Sequence, residues 1–311
     1  MSRHDSAAGP ASSYGSAVGG DRLLDPDLAL RLVLHEARAQ ATPARELRDL
    51  GDGWLFHDPS DAEPFWNRLI APRWPADPAA FDRRLDEVTT LFATLGRLPH
   101  IRPLPLGGTP VDLASRLEAA GFDVVGSDLR MVLPAPFDAT GLVGTSMAEA
   151  EESFAPGAFS VSRHEVGTAR EPDRERWADR RRWASDASLV LAEGFGVEDA
   201  RRSALENDLL ACVSRAGCAI VLIRIEGEPA AIARRATTPD GTYLSSIGTR
   251  PKFRRRGLGS LAAALVLADA LEAGSAVVHL GVEVENKRAR RLYERLGFTV
   301  VGEPAPDLLL R

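Results

Sequence analysis

Apolar positions recur at helical spacing over 24–41, 78–95, about 110–120, 172–185 and 197–216, and each stretch predicts an amphipathic helix. Pro78 stands at the tolerated first position of the second, and Glu198 and Asp199 put acids in the first turn of the last, where the helix dipole favours them. Short apolar runs predict strands at 54–57, near 100–104, 131–133, 159–166, 219–225, 230–234, 242–249, 277–282 and 308–310. Glu226-Gly227-Glu228 reads as a hairpin turn and Pro239-Asp240-Gly241 as the turn into the next strand. Residues 1–20, rich in Ser, Ala and Gly without periodicity, read as a disordered tail. The stretch 136–157, rich in Pro, Gly, Ala and acids, reads as a linker, which divides the chain into 21–135 and 158–311.

The chemistry concentrates between 245 and 298. The strand ending at Thr249 must stop at Pro251, which has no N–H for a ladder. From Leu258 the apolar positions Leu261, Ala262, Leu265 and Ala268 take up helical spacing, and Gly274 supplies a stop. Gly257 and Gly259 therefore sit at a strand-to-helix junction beside Arg254, Arg255 and Arg256. Glycines there let a ligand approach the backbone, and first-turn N–H groups with the helix dipole form an anion site, so a pyrophosphate fits. The strand at 277–282 then leads through Asn286 into a helix with Ala289, Leu292 and Leu296 on its apolar face, ended by Gly297.

The Arg-x-x-Gly-x-Gly loop, the Leu280-x-Val282-x-x-x-Asn286 strand end and the Leu292-Tyr293-x-x-x-Gly297-Phe298 helix together resemble the acetyl-CoA site of the GNAT superfamily of acyltransferases. The resemblance covers about 159–311 and implies an α/β (α+β) fold with a mixed, mostly antiparallel sheet flanked by helices. It implies the order strand, two helices, three strands, cofactor helix, strand, helix, strand.

A second trace of the same pattern lies in the first half. Residues 117–126 align with 293–302 at a constant offset of 176, with six of ten positions identical. Both copies follow a helix and lead toward an apolar strand, which reads as an internal duplication. The first copy lacks the glycine loop and has Leu117 where the second has Tyr293. A degenerate half followed by a competent one is similar to tandem GNAT proteins, and mycothiol synthases share that layout and similar length.

Composition removes some alternatives. The chain has 311 residues, 44% hydrophobic and 26% charged, which suits a globular protein with two cores. A net charge of −6 offers no basic face for nucleic acid. No apolar run is long enough to span a membrane and no signal peptide is evident, so a cytoplasmic protein is expected, monomeric or homodimeric. Cys212 and Cys218 lack the spacing of a metal site and are expected to be reduced in the core.

The resemblance implies roles. Acetyl-CoA is expected between the strands ending at Thr249 and Val282. Ile247, Gly248 and Thr249 would meet the pantetheine arm, and Arg254, Arg255, Arg256, Gly257, Leu258, Gly259 and Ser260 would cradle the pyrophosphate. Asn286 would hold the cofactor from the other side, a backbone N–H near Ile247 would stabilise the oxyanion, and Tyr293 would be the general acid. Ribosomal-protein N-terminal acetyltransferases of this superfamily carry a glutamate where this chain has Gly281, which argues against the same substrate. His279 and Glu283 share the face of Gly281 by strand alternation, and either is a candidate base acting through water.

The acceptor expected is a primary amine of a small molecule or peptide. Asp186, Glu193 and the negative net charge suit a cationic amine. Selection would come from loops near 167–171 and 185–196 and from the first half. Transfer of another acyl group or to a hydroxyl, and a non-catalytic CoA-binding module, are the alternatives.

Overall fold

The computed structural model describes residues 25–104, 106–134, 137, 141–165 and 174–311, with the side chains of 174–178 left out. The expected tail at 1–20 and the loop at 167–171 lie outside the described residues. The first half holds α1 (Pro26–Gln40), β1 (Glu46–Asp49), β2 (Trp54–His57), β3 (Arg68–Ile70), α2 (Pro78–Thr94), β4 (His100–Arg102), α3 (Leu113–Ala119) and β5 (Asp123–Leu133). The second holds α4 (Leu142–Glu151), β6 (Phe159–Glu165), α5 (Arg174–Phe195), α6 (Arg202–Val213), β7 (Cys218–Ile225), β8 (Glu228–Thr238) and β9 (Gly241–Thr249). It ends with α7 (Leu258–Glu272), β10 (Val278–Glu283), α8 (Lys287–Arg295) and β11 (Thr299–Leu309).

All eleven strands form one sheet, in the order β1-β2-β3-β4-β11-β5-β10-β9-β8-β7-β6. Among the described residues, only the strand pairs β3–β4 and β9–β10 are parallel. The order reveals an exchange. β4-α3-β5 and β10-α8-β11 are equivalent strand-helix-strand units, yet β5 pairs along β10, from Leu133–Val278 to Asp128–Glu283. In return β11 pairs with β4, Leu308 against Ile101 and Leu309 against His100. The final strand of each half thus completes the sheet of the other.

The duplication read at 117–126 and 293–302 is present in the backbone. In both copies a left-handed glycine ends the helix, Gly121 at φ 94° and Gly297 at φ 91°. In both, the N–H of the next phenylalanine donates to a carbonyl five residues back, Phe122 to Leu117 and Phe298 to Tyr293, each at 3.0 Å. That six-to-one bond is a helix-ending motif that favours glycine.

Three findings depart from the sequence reading. The expected linker contains α4, whose Ala150 is buried against α7. Phe137, Leu142, Val143, Met147 and Phe154 pack on the same core, which gives the segment an apolar face to bury. The segment 185–196, expected as a loop, is largely the last turns of α5, where Ala187, Val190 and Leu191 are buried against β7 and β8 residues. The cysteines, expected as thiols, form a Cys212–Cys218 disulfide. The turn between the end of α6 and the start of β7 brings their Cα atoms to 5.7 Å, inside the range such a bond requires.

Helix α1 joins the halves. Its Val33 and Ala37 pack on Phe56 and Ile70 of the first half, while Leu32 packs on Val132 and Val301 and Ala39 joins the core beneath α5 and α6. Its C-terminal carbonyls are held from the second half, where Arg234 Nη2 donates to Ala39 O at 3.0 Å and Arg215 Nη1 to Ala41 O at 2.6 Å.

Candidate active site

The site forms where β9 and β10 separate. They pair at Thr242–Val278, Tyr243–His279 and Leu244–Leu280; beyond that both strands continue, to Thr249 and Glu283, without pairing with each other. On the other edge of β9, Ser246 and Ile247 stand opposite Ala233 alone, a bulge with Ser246 at φ 52°. A bulge leaves one residue out of the ladder and turns a backbone group outward at the opening.

The loop after β9 leads into α7. Arg254 is spent on the loop itself, donating from Nε to Thr249 O at 3.2 Å and from Nη2 to Gly194 O at 2.7 Å. Arg255, at φ 64°, is exposed, and Arg256 is exposed with its guanidinium over the Phe154 ring. Gly257 is the left-handed N-cap of α7 and no side chain caps the helix. The first-turn N–H groups of Leu258, Gly259 and Ser260 therefore have no side-chain acceptor and face the positive end of the dipole, the arrangement a pyrophosphate fits. Leu258 is buried, so only its backbone can contribute.

Gly259 is where the parts converge. A Cβ there would lie 3.2 Å from Thr249 Oγ1 and 3.8 Å from Leu292 Cδ1 of α8. Gly248 is equally tight, with a Phe195 ring carbon 3.0 Å from a Cβ position. Asn286 is exposed and caps α8, its Oδ1 accepting from the Ala289 N–H at 3.1 Å. Tyr293 follows on α8, 7% exposed within the α7-side core and edge-on to Phe298. Burial raises its pKa, so the phenol is protonated at neutral pH.

The opposite face of the same strands is polar and was not anticipated. His279, Gly281 and Glu283 lie opposite Val132, Arg130 and Asp128 of the exchanged strand β5, so the shared face predicted by alternation is found. Glu283 is exposed, whereas His279 has no exposed surface and its Nε2 lies 2.7 Å from His35 Nδ1. Burial, with Arg130 and His35 adding to it, holds the His279 imidazole well below its ordinary pKa. Around Gly281, Glu36 of α1 binds Arg130 and accepts from Tyr243 Oη at 3.3 Å. Its Oε1 lies 3.5 Å from Arg68 Nη2 and 3.8 Å from Arg102 Nη1. Burial alone would raise the pKa of Glu36, but Arg130, Arg102 and Arg68 outweigh it and hold the carboxyl far below the usual range.

The sequence did carry a signal for this network, since Arg130 interrupts an apolar strand and His35, Glu36 and Gln40 are polar on a helix buried on most sides. The acids offered as cation-tolerant are in contrast already paired. Asp186 binds Arg224 at 2.7 Å, and Glu193 binds Arg250 through both oxygens at 2.8 and 2.9 Å. Neither supplies free negative charge to an acceptor.

Residues 173–298 match the model of the acetyltransferase (GNAT) family. No curated protein matches the chain. Among solved structures, a GCN5-related N-acetyltransferase from Kribbella flavida is 21% identical with a TM-score of 0.58, over 91% of this chain and 94% of that one. A functionally unknown conserved protein from Staphylococcus epidermidis reaches 0.61 at 13% identity, over 86% and 95%. A tandem GNAT protein from the clavulanic acid biosynthesis pathway reaches 0.51 at 15% identity, over 94% and 96%. These likenesses extend the fold match to both halves, and no helix among the described residues is long and apolar enough to cross a membrane. Residues 173–298 thus match a GNAT acetyltransferase domain, and the chain as a whole shares the fold of a tandem GNAT protein.

Proposed function

We propose that this protein is an acetyl-CoA-dependent N-acetyltransferase that acts by direct transfer to a primary amine of a small molecule or peptide. The observation that carries the reading is the convergence at Gly259, where the end of β9, the uncapped start of α7 and α8 meet beside an open strand pair. Acetyl-CoA, when bound, supplies an activated acyl group. The first-turn N–H groups of α7, with Arg255 and Arg256, hold the pyrophosphate, and Ile247 and Thr249 offer strand-like backbone partners. The bulge at Ser246 and Ile247 aims an N–H at the oxygen that gains charge during attack, a contact worth roughly 10²–10³ in rate elsewhere.

Tyr293 donates the proton to the departing sulfur. A thiol ordinarily titrates near pH 8.5, roughly, so transfer from a phenol whose pKa burial has raised is uphill in water. A thiolate held in the same dry pocket has its own pKa raised by the same burial, which brings the two together. His279 offers no surface to an incoming amine, and Glu283, at the exposed end of β10, takes the role of base through water.

Release of CoA thiol across a panel of amines tests the reading. Tyr293→Phe should lower kcat roughly 10²–10⁴-fold with acetyl-CoA affinity unchanged. Glu283→Gln should lower kcat with acetyl-CoA affinity unchanged, and an unchanged kcat returns the base to water alone. Saturable acetyl-CoA binding with no amine-dependent release, and no effect of Tyr293→Phe, would favour a binding module.

A further inference from the structure

The buried guanidiniums beside Gly281 have more donors than the acids around them accept. Arg102 is claimed by two acids, with Nη2 2.6 Å from Asp128 Oδ2 and Nε 3.8 Å from Asp307 Oδ1. Arg68 and Arg130, 1% and 4% exposed, share Glu36 as their one acid within ion-pair distance among the described residues, and Arg68 also lies over the Phe65 ring. Among the described residues, Nε and Nη1 of both guanidiniums have no hydrogen-bond partner. Three guanidiniums face three carboxylates here, so the charges balance, but four donor nitrogens stand buried without an acceptor, and a buried donor without an acceptor is costly.

The unpartnered Nη1 of Arg130 borders the opening between β9 and β10. Gly281 lies one position past the last β9–β10 pair, is half-buried, and carries no side chain; a Cβ on it would lie 3.6 Å from Arg130 Nη1 and 3.9 Å from Tyr243 Oη. Arg130 comes from the exchanged strand, so the first half supplies this charge to the second half's site.

We infer that the substrate brings a carboxylate to Arg130, and that the acceptor is an amine bearing a carboxylate, of the amino-acid type, rather than a polycation. The inference rests on the acyltransferase reading and narrows it. A guanidinium fork matches a carboxylate through two parallel bonds, which a point cation does not. The amine and the carboxylate then lie on either side of Gly281. The same chemistry would be met by a dicarboxylic acyl chain, and the test separates the two sources.

The measurement is kcat/KM on the full chain for α-amino acids against their amides and decarboxylated amines with acetyl-CoA, repeated with glycine and succinyl-CoA. Wild type should prefer the carboxylate form by roughly tenfold to a hundredfold, the worth of charged hydrogen bonds. Arg130→Gln should bring the ratio near one. Glu36 keeps Arg68 and Arg102 in that variant, and Arg130→Lys, which keeps charge and loses the fork, serves if it misfolds. Gly281→Glu should place an internal carboxylate in the notch and also abolish the preference. An Arg130-dependent preference for succinyl-CoA over acetyl-CoA would assign the carboxylate to the acyl chain. Acetyl-CoA turnover with no Arg130-dependent preference in either arm overturns the inference and leaves the network structural. If no acceptor turns over, calorimetric binding of N-acetylated amino acids to wild type and Arg130→Gln decides it. Equal binding, or none, overturns it, whereas failure of acetyl-CoA itself to bind overturns the acyltransferase reading.

Discussion

Replacing Glu36 by glutamine tests whether the buried network holds the two halves together. The substitution keeps shape and removes the negative charge shared by Arg68, Arg102 and Arg130. Arg102 retains Asp128 and Asp307, so the loss falls on Arg68 and Arg130, neither of which has another acid within ion-pair distance among the described residues. Breaking a buried pair in this way costs about 3–5 kcal/mol, because the remaining charges stay desolvated. Natural domains are stable by about 5–15 kcal/mol, so the variant should unfold at a clearly lower urea concentration. Combining Glu36→Gln with Arg130→Gln removes one stranded charge and should cost less than the two single changes summed, by about 1–3 kcal/mol. The pH dependence has a fixed sign. The Glu36 pKa is depressed in the fold, so its stabilisation is complete above the ordinary glutamate range, near 4.3, and is lost as pH falls below it. The difference between wild type and Glu36→Gln should therefore be full at pH 7 and shrink on acidification below about pH 4. A loss under about 1 kcal/mol at pH 7, or a difference that grows with acid, would refute the reasoning.

Two further outcomes are expected beside those for Tyr293 and Glu283. Gly259→Val should weaken acetyl-CoA binding by calorimetry at least tenfold, roughly, since its branches meet Thr249 Oγ1 and Leu292 where the loop must admit a phosphate; unchanged affinity would remove Gly259 from the cofactor site. Alkylation before reduction should leave both Cys212 and Cys218 unlabelled. Reduction should then cost less than about 3 kcal/mol, because the separation of 6 closes a shorter loop than the 15 residues to which that figure belongs.

The sequence showed the elements better than their partners. α2 and α7 were legible because their apolar spacing is set by the helix period, and the glycine loop because its chemistry is local. β1, Glu-Leu-Arg-Asp, is polar and mostly exposed, and β3 opens on a buried arginine, so neither reads as the short apolar run that marked β2. The exchange was invisible for another reason. Residues 123–133 present the same apolar face to any neighbour, so nothing local distinguishes pairing with β10 from pairing within their own half. Glu36 and Arg130 each read as an isolated charge in an apolar context, and only the fold, bringing them together across 94 positions, makes them a pair.

The exchanged strands also set an order of events during synthesis. β4 leaves the ribosome about 200 residues before its partner β11 exists, an interval of roughly 10–40 s at 5–20 residues per second. For that time the nascent first half carries an open strand edge of the kind that invites aggregation. The edge is three residues long, contains His100 and Arg102, and is bracketed by Pro99 and Pro103, features that make it a poor template for a wrong partner. A nascent chain can therefore wait with its N-terminal sheet unfinished, and damage near residue 308 would be felt first as instability around residue 101, far from the cofactor loop.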